Sequence, residues 1–360
     1  MSQRVTITQI AQEAGVSIKT VSNVLNGTGN MRPSTRARVQ EVIDTLGYQV
    51  NLAARSMRTG STKIIGLGIA DFSQPFNPYL TDSIINVARS HGYGVITSTY
   101  GYHHQTIESI LPQTHKLPAD GWIFFLGDHV DENSHIFKQN YPVVLATEWN
   151  AFDKVDSVSI SSYDIIKKVT KRFIQSGKKR IFFAGSAPRQ SGENDEDYIS
   201  RILSAQHGAV NSRARGYLDA LNDSGMRIDS RYVRDCMYID HKNGYELANR
   251  LCKDIKSGIV ECPDAIICAN DALAFGIIRG LSDHDVRVPD DVEIIGFDNV
   301  PESQYSNPAL TSIDPHINEF ARTAVELLIE RIEGYDGPIR RRNVECDVHV
   351  RSSALNPEFL

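Results

Sequence analysis

The stretch TQIAQEAGVSIKTVSNVLN, Thr8 to Asn26, decides how this chain begins. It reads as two short helices around a tight turn. Ile10, Ala11 and Ala14 supply one apolar face, and Val16, Val21, Val24 and Leu25 supply the second. Gly15 can take a positive φ in the turn, and Ser17 is a ready N-cap for the second helix. Asn26-Gly27 closes that helix with C-cap chemistry. Two helices held at a steep angle across a turn of three or four residues make a helix-turn-helix, whose second helix is shaped for the major groove of DNA. An ordinary helical hairpin is the alternative, and the sequence after Asn26 favours the first reading.

After a polar loop, Pro33-Ser34-Thr35 is a helix-start signature. A third helix runs to about Leu46, with Val39, Val42, Ile43 and Leu46 at i, i+3, i+4 and i+7, a stripe able to close a three-helix core. Gly47 ends it. Ala53 to Arg58 (AARSMR) has the composition of one or two helical turns, too short to hold in water alone. It needs a partner, either a second copy or DNA.

At 360 residues the chain is long enough for two or three domains, and its 41% hydrophobic content is ordinary for a globular protein. No run reaches the roughly 18 apolar residues of a membrane span, and MSQRVTITQI has no secretory h-region. Cys236, Cys252, Cys262, Cys268 and Cys346 show no CxxC pairing, which suits buried thiols in a reducing cytoplasm. Charge is spread unevenly. Residues 1–60 hold seven Lys/Arg against three acids, a net of +4, within a chain of net −6, so the remainder carries −10. A basic head on an acidic body fits phosphate-backbone binding by the head alone.

From Lys63 onward apolar runs alternate with helical stretches. Ile64–Ile69, Tyr93–Thr99, Gly121–Leu126 and Pro142–Ala146 read as buried strands, with a helix over Tyr79–His91. A second series follows at Lys179–Gly185, near Tyr232–Ile239, at Asp264–Asn270 and at Val292–Asp298. Alternation of this kind implies parallel sheets wrapped by helices, here two α/β subdomains in succession. Ligands of such sheets bind at the carboxyl ends of strands, so the cleft between the subdomains is the expected site. A dinucleotide site is rejected: Gly66-Leu67-Gly68 follows a strand, but Asp71 stands in the third glycine's place. There is no GxxxxGK[ST], GxSxG or HExxH, and His103-His104 lacks a third metal ligand. No catalytic residue, metal or cofactor is expected.

The segments IAQEAGVSIKTVSNVLN, Thr35-Arg36 and LGYQVNLAARSMR stand in the order and spacing of the LacI/GalR family of bacterial regulators, which the chain resembles to about Ser352. The resemblance implies an all-α helix-turn-helix head plus an α/β body of two doubly wound parallel-sheet subdomains, similar to periplasmic sugar-binding proteins. The expected divisions are a DNA-binding head over 1–50, a hinge helix and linker over 51–60, a first subdomain over 61–161 and 299–334, and a second over 162–298 and 335–360. In that family the hinge helix folds in the minor groove beside its twin, and an apolar residue wedges between base pairs. That residue is usually Leu and is Met57 here, while Ala54 falls at the small position where the hinges approach.

By the same match, base readout falls to Ile18, Lys19 and Asn23. Lys19 can donate to guanine, Asn23 can pair with adenine, and Ile18 can touch a thymine methyl; simple phosphate neutralisation is the other reading of Lys19. Ser17, Thr20, Ser22 and Asn30 suit phosphate contacts, and Thr8 and Arg58 complete the expected DNA-facing set. The partners implied are inverted-repeat operator DNA, a small-molecule effector, most simply a sugar, and a second copy of the chain, with no membrane partner.

For the effector, the family begins its contacts at Asp71–Asn77, and Arg213, Asn270-Asp271 and Asp298 match its polar effector-binding positions. A polyol wants charged groups that make paired hydrogen bonds, for which Arg213, Asn270 and Asp298 serve, and an aromatic face, for which Phe72, Phe76 and Trp149 serve. The expected effector set is Phe72, Phe76, Asn77, Trp149, Arg213, Asn270 and Asp298. Structural readings stay open: a capping or turn role for Asp298, a rim or subunit contact for Trp149, and core packing for Phe76. Three departures stand out. Glu148 follows the fourth strand where the family often has Asp, Tyr238-Ile239 replaces a frequent aromatic, and residues 186–212 are longer than usual. That insertion reads either as a solvated loop or as a lid for a larger effector. An amphipathic helix is expected over Ile317–Glu333, and no leucine heptad trails Ser353, so a homodimer without a tetramer-forming tail is expected. A sugar-controlled repressor is the leading reading. A purine- or other metabolite-responsive regulator, a head fused to a sugar-modifying enzyme, and a purely architectural DNA binder are the alternatives.

Overall fold

The computed structural model describes residues 5–48, 60–101 and 106–354. The chain divides into two compact units, Met1–Thr62 and Lys63–Leu360. Ala54, Met57, Arg58, His103 and His104 lie outside the described residues.

In the first unit, helix α1 (Ile7–Glu13) starts at a capping box. The Thr6 N–H donates to Gln9 Oε1 at 2.8 Å and the Gln9 N–H donates to Thr6 Oγ1 at 3.3 Å. Gly15 turns the chain at φ +61°. Helix α2 (Ile18–Leu25) opens on Ser17, whose hydroxyl accepts the Thr20 N–H at 3.1 Å. Helix α3 (Pro33–Leu46) has proline in its first turn and ends at Gly47 in the left-handed region. Ile10, Ala11, Ala14, Val21, Val24, Val39 and Ile43 form the core between them. The third-helix stripe ends sooner than expected, since Leu46 is exposed one turn beyond Ile43.

The second unit holds two six-stranded sheets. The first contains β1 (Ile64–Ile69), β2 (Gly94–Thr99), β3 (Trp122–Phe125), β4 (Val143–Ala146) and β5 (Asp156–Ile160). The second contains β6 (Ile181–Ser186), β7 (Val233–Asp235), β8 (Ala265–Cys268), β9 (Glu293–Phe297) and β10 (Thr311–Asp314). Late in the chain, β11 (Arg341–Val344) joins β5 in parallel and β12 (Asp347–His349) joins β10 antiparallel. The orders are β2-β1-β3-β4-β5-β11 and β7-β6-β8-β9-β10-β12. Each is a doubly wound sheet whose strand order reverses beside its first strand, the point where such sheets hold ligands. Helices α4 (Phe76–Ser90), α5 (Ser162–Gln175), α6 (Asp195–Ser204), α7 (Ala209–Asp223), α8 (His241–Lys256), α9 (Asp271–Ser282) and α10 (Ile317–Ile332) cover them.

The expected subdomain limits need correction. β10 lies in the second sheet although 299–334 was assigned to the first subdomain, because Thr311–Ile313 pair with Ile295–Phe297 of β9. β11 lies in the first sheet although 335–360 was assigned to the second, because Arg341–Val344 pair with Ser157–Ile160. The chain therefore passes between the sheets after Ile160, after Asp314 and after Val344. At the base of the first sheet a buried carboxylate ties three of its segments: Asp156 accepts from Arg331 at 2.8 and 2.9 Å and from Arg340 at 2.7 Å. Gly66 and Gly68 lie inside β1 rather than after a strand. A Cβ at either would strike the Trp122 or Phe124 ring at 2.1 or 2.4 Å, so these glycines make room for aromatics on β3. No helix among the described residues is long and apolar enough to cross a membrane, and none of their His, Cys, Asp or Glu side chains cluster in threes as metal ligands.

Candidate functional site

Between the two sheets lies a cavity of about 340 Å³. Its walls come from chain just past the carboxyl ends of strands: Ala70 after β1, Leu126 and Asp128 after β3, Thr147–Trp149 after β4, Pro188 after β6, Ile239 after β7, Asn270 after β8 and Asp298 after β9. Of the residues expected to bind an effector, Phe76, Asn77, Trp149, Arg213, Asn270 and Asp298 line this cavity. Phe72 does not. It is 49% exposed, because Asp71 Oδ1 accepts the Ser73 N–H and hydroxyl and turns the chain outward at Phe72.

Arg213 is the fixed cation of the site. Its guanidinium sits 3.5 Å over the Phe297 ring, donates to the Ala269 carbonyl at 2.5 Å and to Ser162 Oγ at 3.3 Å, and leaves Nη2 3.9 Å from Glu148 Oε1. Glu148 thus reaches the cavity, with Ser162 Oγ donating to its Oε1 at 2.6 Å. Burial raises the Glu148 carboxyl above its ordinary range despite Arg213 and Ser162. Asp298 is 7% exposed, takes φ +112°, and accepts no side-chain hydrogen bond among the described residues. Burial, reinforced by Asp271 and Glu148, raises its carboxyl well above the usual value against the pull of Arg213. Glu148 and Arg213 are answered by their neighbours, whereas Asp298 at such depth still calls for a donor.

Asn270 is committed elsewhere. Its Oδ1 accepts the Leu273 N–H at 2.8 Å as the N-cap of α9, and its Nδ2 donates to the Ile239 carbonyl at 2.8 Å and across the cleft to Gln74 Oε1 at 3.1 Å. Asp271, beside it, points away from the cavity: it accepts from the Val300 N–H and from the hydroxyls of Ser303 and Ser312. Asn77 donates to the Asp71 carbonyl at 2.9 Å. Phe76 packs on Phe125 with ring centroids 5.4 Å apart. Trp149 donates to the Gly127 carbonyl at 3.0 Å, fixing its indole at the cavity mouth beside His129.

Residues 186–212 do not form a solvated loop. Asn194 caps α6, whose Tyr198 and Ile202 are buried in the same core as β6 and α7. Tyr198 shares a 2.5 Å hydrogen bond with Ser186, and the Arg189 guanidinium lies 4.2 Å over its ring. The segment's two ends, Ala187-Pro188 and Gly208–Asn211, form part of the cavity wall. Sequence reasoning missed Gln74, Asp128, Thr147 and Asn211. Gln74 fell within the quoted Asp71–Asn77 segment, but its role depends on a cross-cleft bond that spacing does not reveal.

The head presents the other surface. Val21 and Val24 face its core, so Ile18 and Lys19 are exposed and Ser22 and Asn23 half-buried on the remaining side of α2. Ile18 is 48% exposed, a large apolar side chain left open at the start of a helix. Ser17 and Thr20 hydroxyls lie 2.9 Å apart, and Thr8 and Asn30 are exposed. The loop after α2 closes over Asn23: a Cβ on Gly29 would fall 2.6 Å from Asn23 Nδ2.

Residues 6–51 match the model of bacterial regulatory proteins of the lacI family, and residues 170–354 match that of periplasmic binding protein-like domains. Catabolite control protein A of Priestia megaterium is 32% identical over 90% of this chain and 91% of its own. A LacI-type transcription regulator from Bifidobacterium animalis subsp. lactis is similar with a TM-score of 0.74 and 38% identity, over 81% of this chain and 99% of that one. The regulator CelR in complex with cellobiose shares the fold at a TM-score of 0.66 and 22% identity, over 98% of this chain and all of its own.

Proposed function

The chain belongs to the lacI family of bacterial regulatory proteins, DNA-binding transcription regulators rather than enzymes, and we propose that it is a dimeric repressor whose cavity binds a neutral sugar. The observation that carries this reading is the grouping of Glu148 and Asp298, at strand ends of the two sheets, with Arg213 of α7, all three buried on the cavity and Asp298 without a side-chain hydrogen bond among the described residues. A sugar's vicinal hydroxyls both donate and accept, so they answer an acid pair and a guanidinium together. Phe76, Phe125 and Trp149 give the ring a face to pack on. CelR, whose fold this chain shares, was solved with cellobiose.

On this reading the head holds inverted-repeat operator DNA through Ile18, Lys19 and Asn23 at base edges, with Thr8, Ser17, Thr20, Ser22 and Asn30 on phosphates. Ala54, Met57 and Arg58 act in the minor groove. Phe76, Asn77, Trp149, Arg213 and Asp298 contact the sugar, and Asn270 positions its neighbours. Sugar binding favours one arrangement of the two subdomains and so shifts operator affinity, with a coupling of about 1–3 kcal/mol. A regulator so placed works in the cytoplasm. The test is a thermal-shift screen of neutral mono- and disaccharides, followed by operator footprinting with the sugar that shifts melting most. A sugar that stabilises the protein and changes operator affinity supports the proposal; stabilisation by none refutes its carbohydrate half.

A further inference from the structure

We propose that Gln74 is a specificity-determining residue of the effector cavity, presenting an amide NH2 donor group whose direction is fixed by Asn270; this rests on the reading of the cavity as an effector site. Three bonds lock the direction. The Ile239 carbonyl can only accept, so it requires the amide nitrogen of Asn270, and the Leu273 N–H can only donate, so it requires the amide oxygen. Asn270 therefore has one hydrogen left, and it turns that hydrogen across the cleft to Gln74. Gln74 must answer with its oxygen. Its Nε2 then has no partner among the described residues, although the side chain is only 9% exposed and lines the cavity.

A buried amide with an unused donor costs free energy until something accepts from it. The ligand that fits best places an acceptor, a hydroxyl, ring or carbonyl oxygen, against Gln74. Asn270 supplies no donor of its own, and acts as a positioning residue through Gln74. Because Gln74 precedes α4 on the first sheet's side and Asn270 begins α9 on the second, the ligand completes a chain of hydrogen bonds that spans both subdomains.

The test is calorimetric titration of the full chain with glucose, ribose, cellobiose and, as a non-sugar class, hypoxanthine. Gln74→Met keeps length and removes both the donor and the cross-cleft bond. Asn270→Asp keeps the helix cap but replaces the donor facing Gln74 with an acceptor, so that Gln74 turns over and shows its oxygen to the cavity. The expected result is a loss of at least tenfold in affinity for the probe that binds wild type, in either variant, with melting of the ligand-free protein little changed in Gln74→Met. Asn270→Asp should cost little more once Gln74→Met is present. Binding of Gln74→Met within twofold of wild type, or full additivity of the two losses, overturns the inference. Binding of hypoxanthine but no sugar overturns the carbohydrate reading, while the Gln74 test proceeds unchanged with hypoxanthine. A wild type that binds none of the four overturns both.

Discussion

Gly208 and Trp149 meet across the cleft so closely that a Cβ on Gly208 would lie 2.6 Å from the indole. Gly208 takes φ +94°, and its N–H donates to the Glu148 carbonyl at 3.0 Å. The end of the 186–212 segment is thereby attached to the rim of the opposite subdomain, through the backbone of the acid that neighbours Arg213. Gly208→Ala pays the left-handed backbone cost of roughly 1–2 kcal/mol and also displaces the indole. The expected outcome is a lower melting temperature together with weaker binding of whichever sugar the screen identifies. In a Trp149→Ala background the penalty should fall to the backbone part alone, because the ring it strikes is gone; an undiminished penalty would show that the contact is incidental.

Asp156 holds the first sheet's late strand in place. Its side chain is fully buried between Arg331 of α10 and Arg340, which leads into β11. Burial by itself would raise its carboxyl, but the two guanidiniums outweigh that, and the net effect is a lowered value. Asp156→Ala leaves two guanidiniums without their shared partner and should cost about 3–5 kcal/mol, the usual penalty of breaking a buried pair from one side. A group lowered in the folded state stabilises above its unfolded value of about 4 and loses that contribution as pH falls through the folded one. Chemical denaturation of wild type and Asp156→Asn from pH 6 downward should therefore show wild type losing more stability in acid than the variant does.

Tyr198 sets how residues 186–212 should respond to change. Its ring is buried beneath Arg189 and its hydroxyl bonds to Ser186 at the end of β6. Tyr198→Ala removes a buried aromatic and should destabilise by about 3–5 kcal/mol. Tyr198→Phe should cost only about 0.5–1.5 kcal/mol for the lost hydrogen bond. Similar small costs for both, measured by urea denaturation, would mean that α6 is not part of the fold's core.

The head was readable almost residue by residue because its signals are local: caps, one turn glycine and an apolar stripe fix α1, α2 and α3 within a residue or two. The inner strands of the body were equally plain, each being a short run of Ile, Val, Phe and Leu. The edges were not. β5, DSVSI, and β11, RRNV, carry too little apolar character to stand out; β5 belongs to the sheet by pairing with β4, and β11 by pairing with β5. The last two crossings between sheets were misplaced because β10, TSID, and β11 are equally polar and each joins a sheet only through its pairing. In the site, the family resemblance pointed to Arg213 within RARGY and Asp298 within GFDN, whereas Gln74 depends on a bond between residues 196 positions apart. Phe72 misled because an aromatic beside cavity residues looks like a wall, and only the turn at Asp71 shows that it faces outward.

The pH dependence at the other end of the scale has the opposite sign. Glu148 and Asp298 are both raised chiefly by burial. A carboxyl raised in the folded state holds a proton that the unfolded chain has released, so its favourable contribution is complete below about pH 4 and is lost as pH rises through the folded value. Ligand-free protein should lose stability on going from mildly acidic to neutral conditions, and Asp298→Asn, which cannot ionise, should lose less. Melting curves of the two proteins across that range check this. A steeper loss in Asp298→Asn would show that Asp298 is ionised and well compensated in the folded state.

On the head, Asn23 and Gly29 form a pair whose effects on DNA binding should travel together. Asn23 is half-buried on the side of α2 turned away from the head's core, and the loop carrying Gly29 closes against its amide at φ +81°. If Asn23 reads a base, Asn23→Ala should cost about 1–3 kcal/mol at one operator position and little on random duplex. Gly29→Ala leaves Asn23 in the sequence but pushes its amide aside, so it should lose discrimination at that same position. Lys19→Ala separates the two readings of that lysine: loss at a single guanine marks base readout, whereas a uniform loss with a salt slope lower by about 1 marks a phosphate contact. Binding isotherms on a set of single-base operator variants at two salt concentrations distinguish these outcomes. Equal losses for Asn23→Ala on operator and random duplex would remove Asn23 from the base-reading set and leave the amide a structural support for the loop.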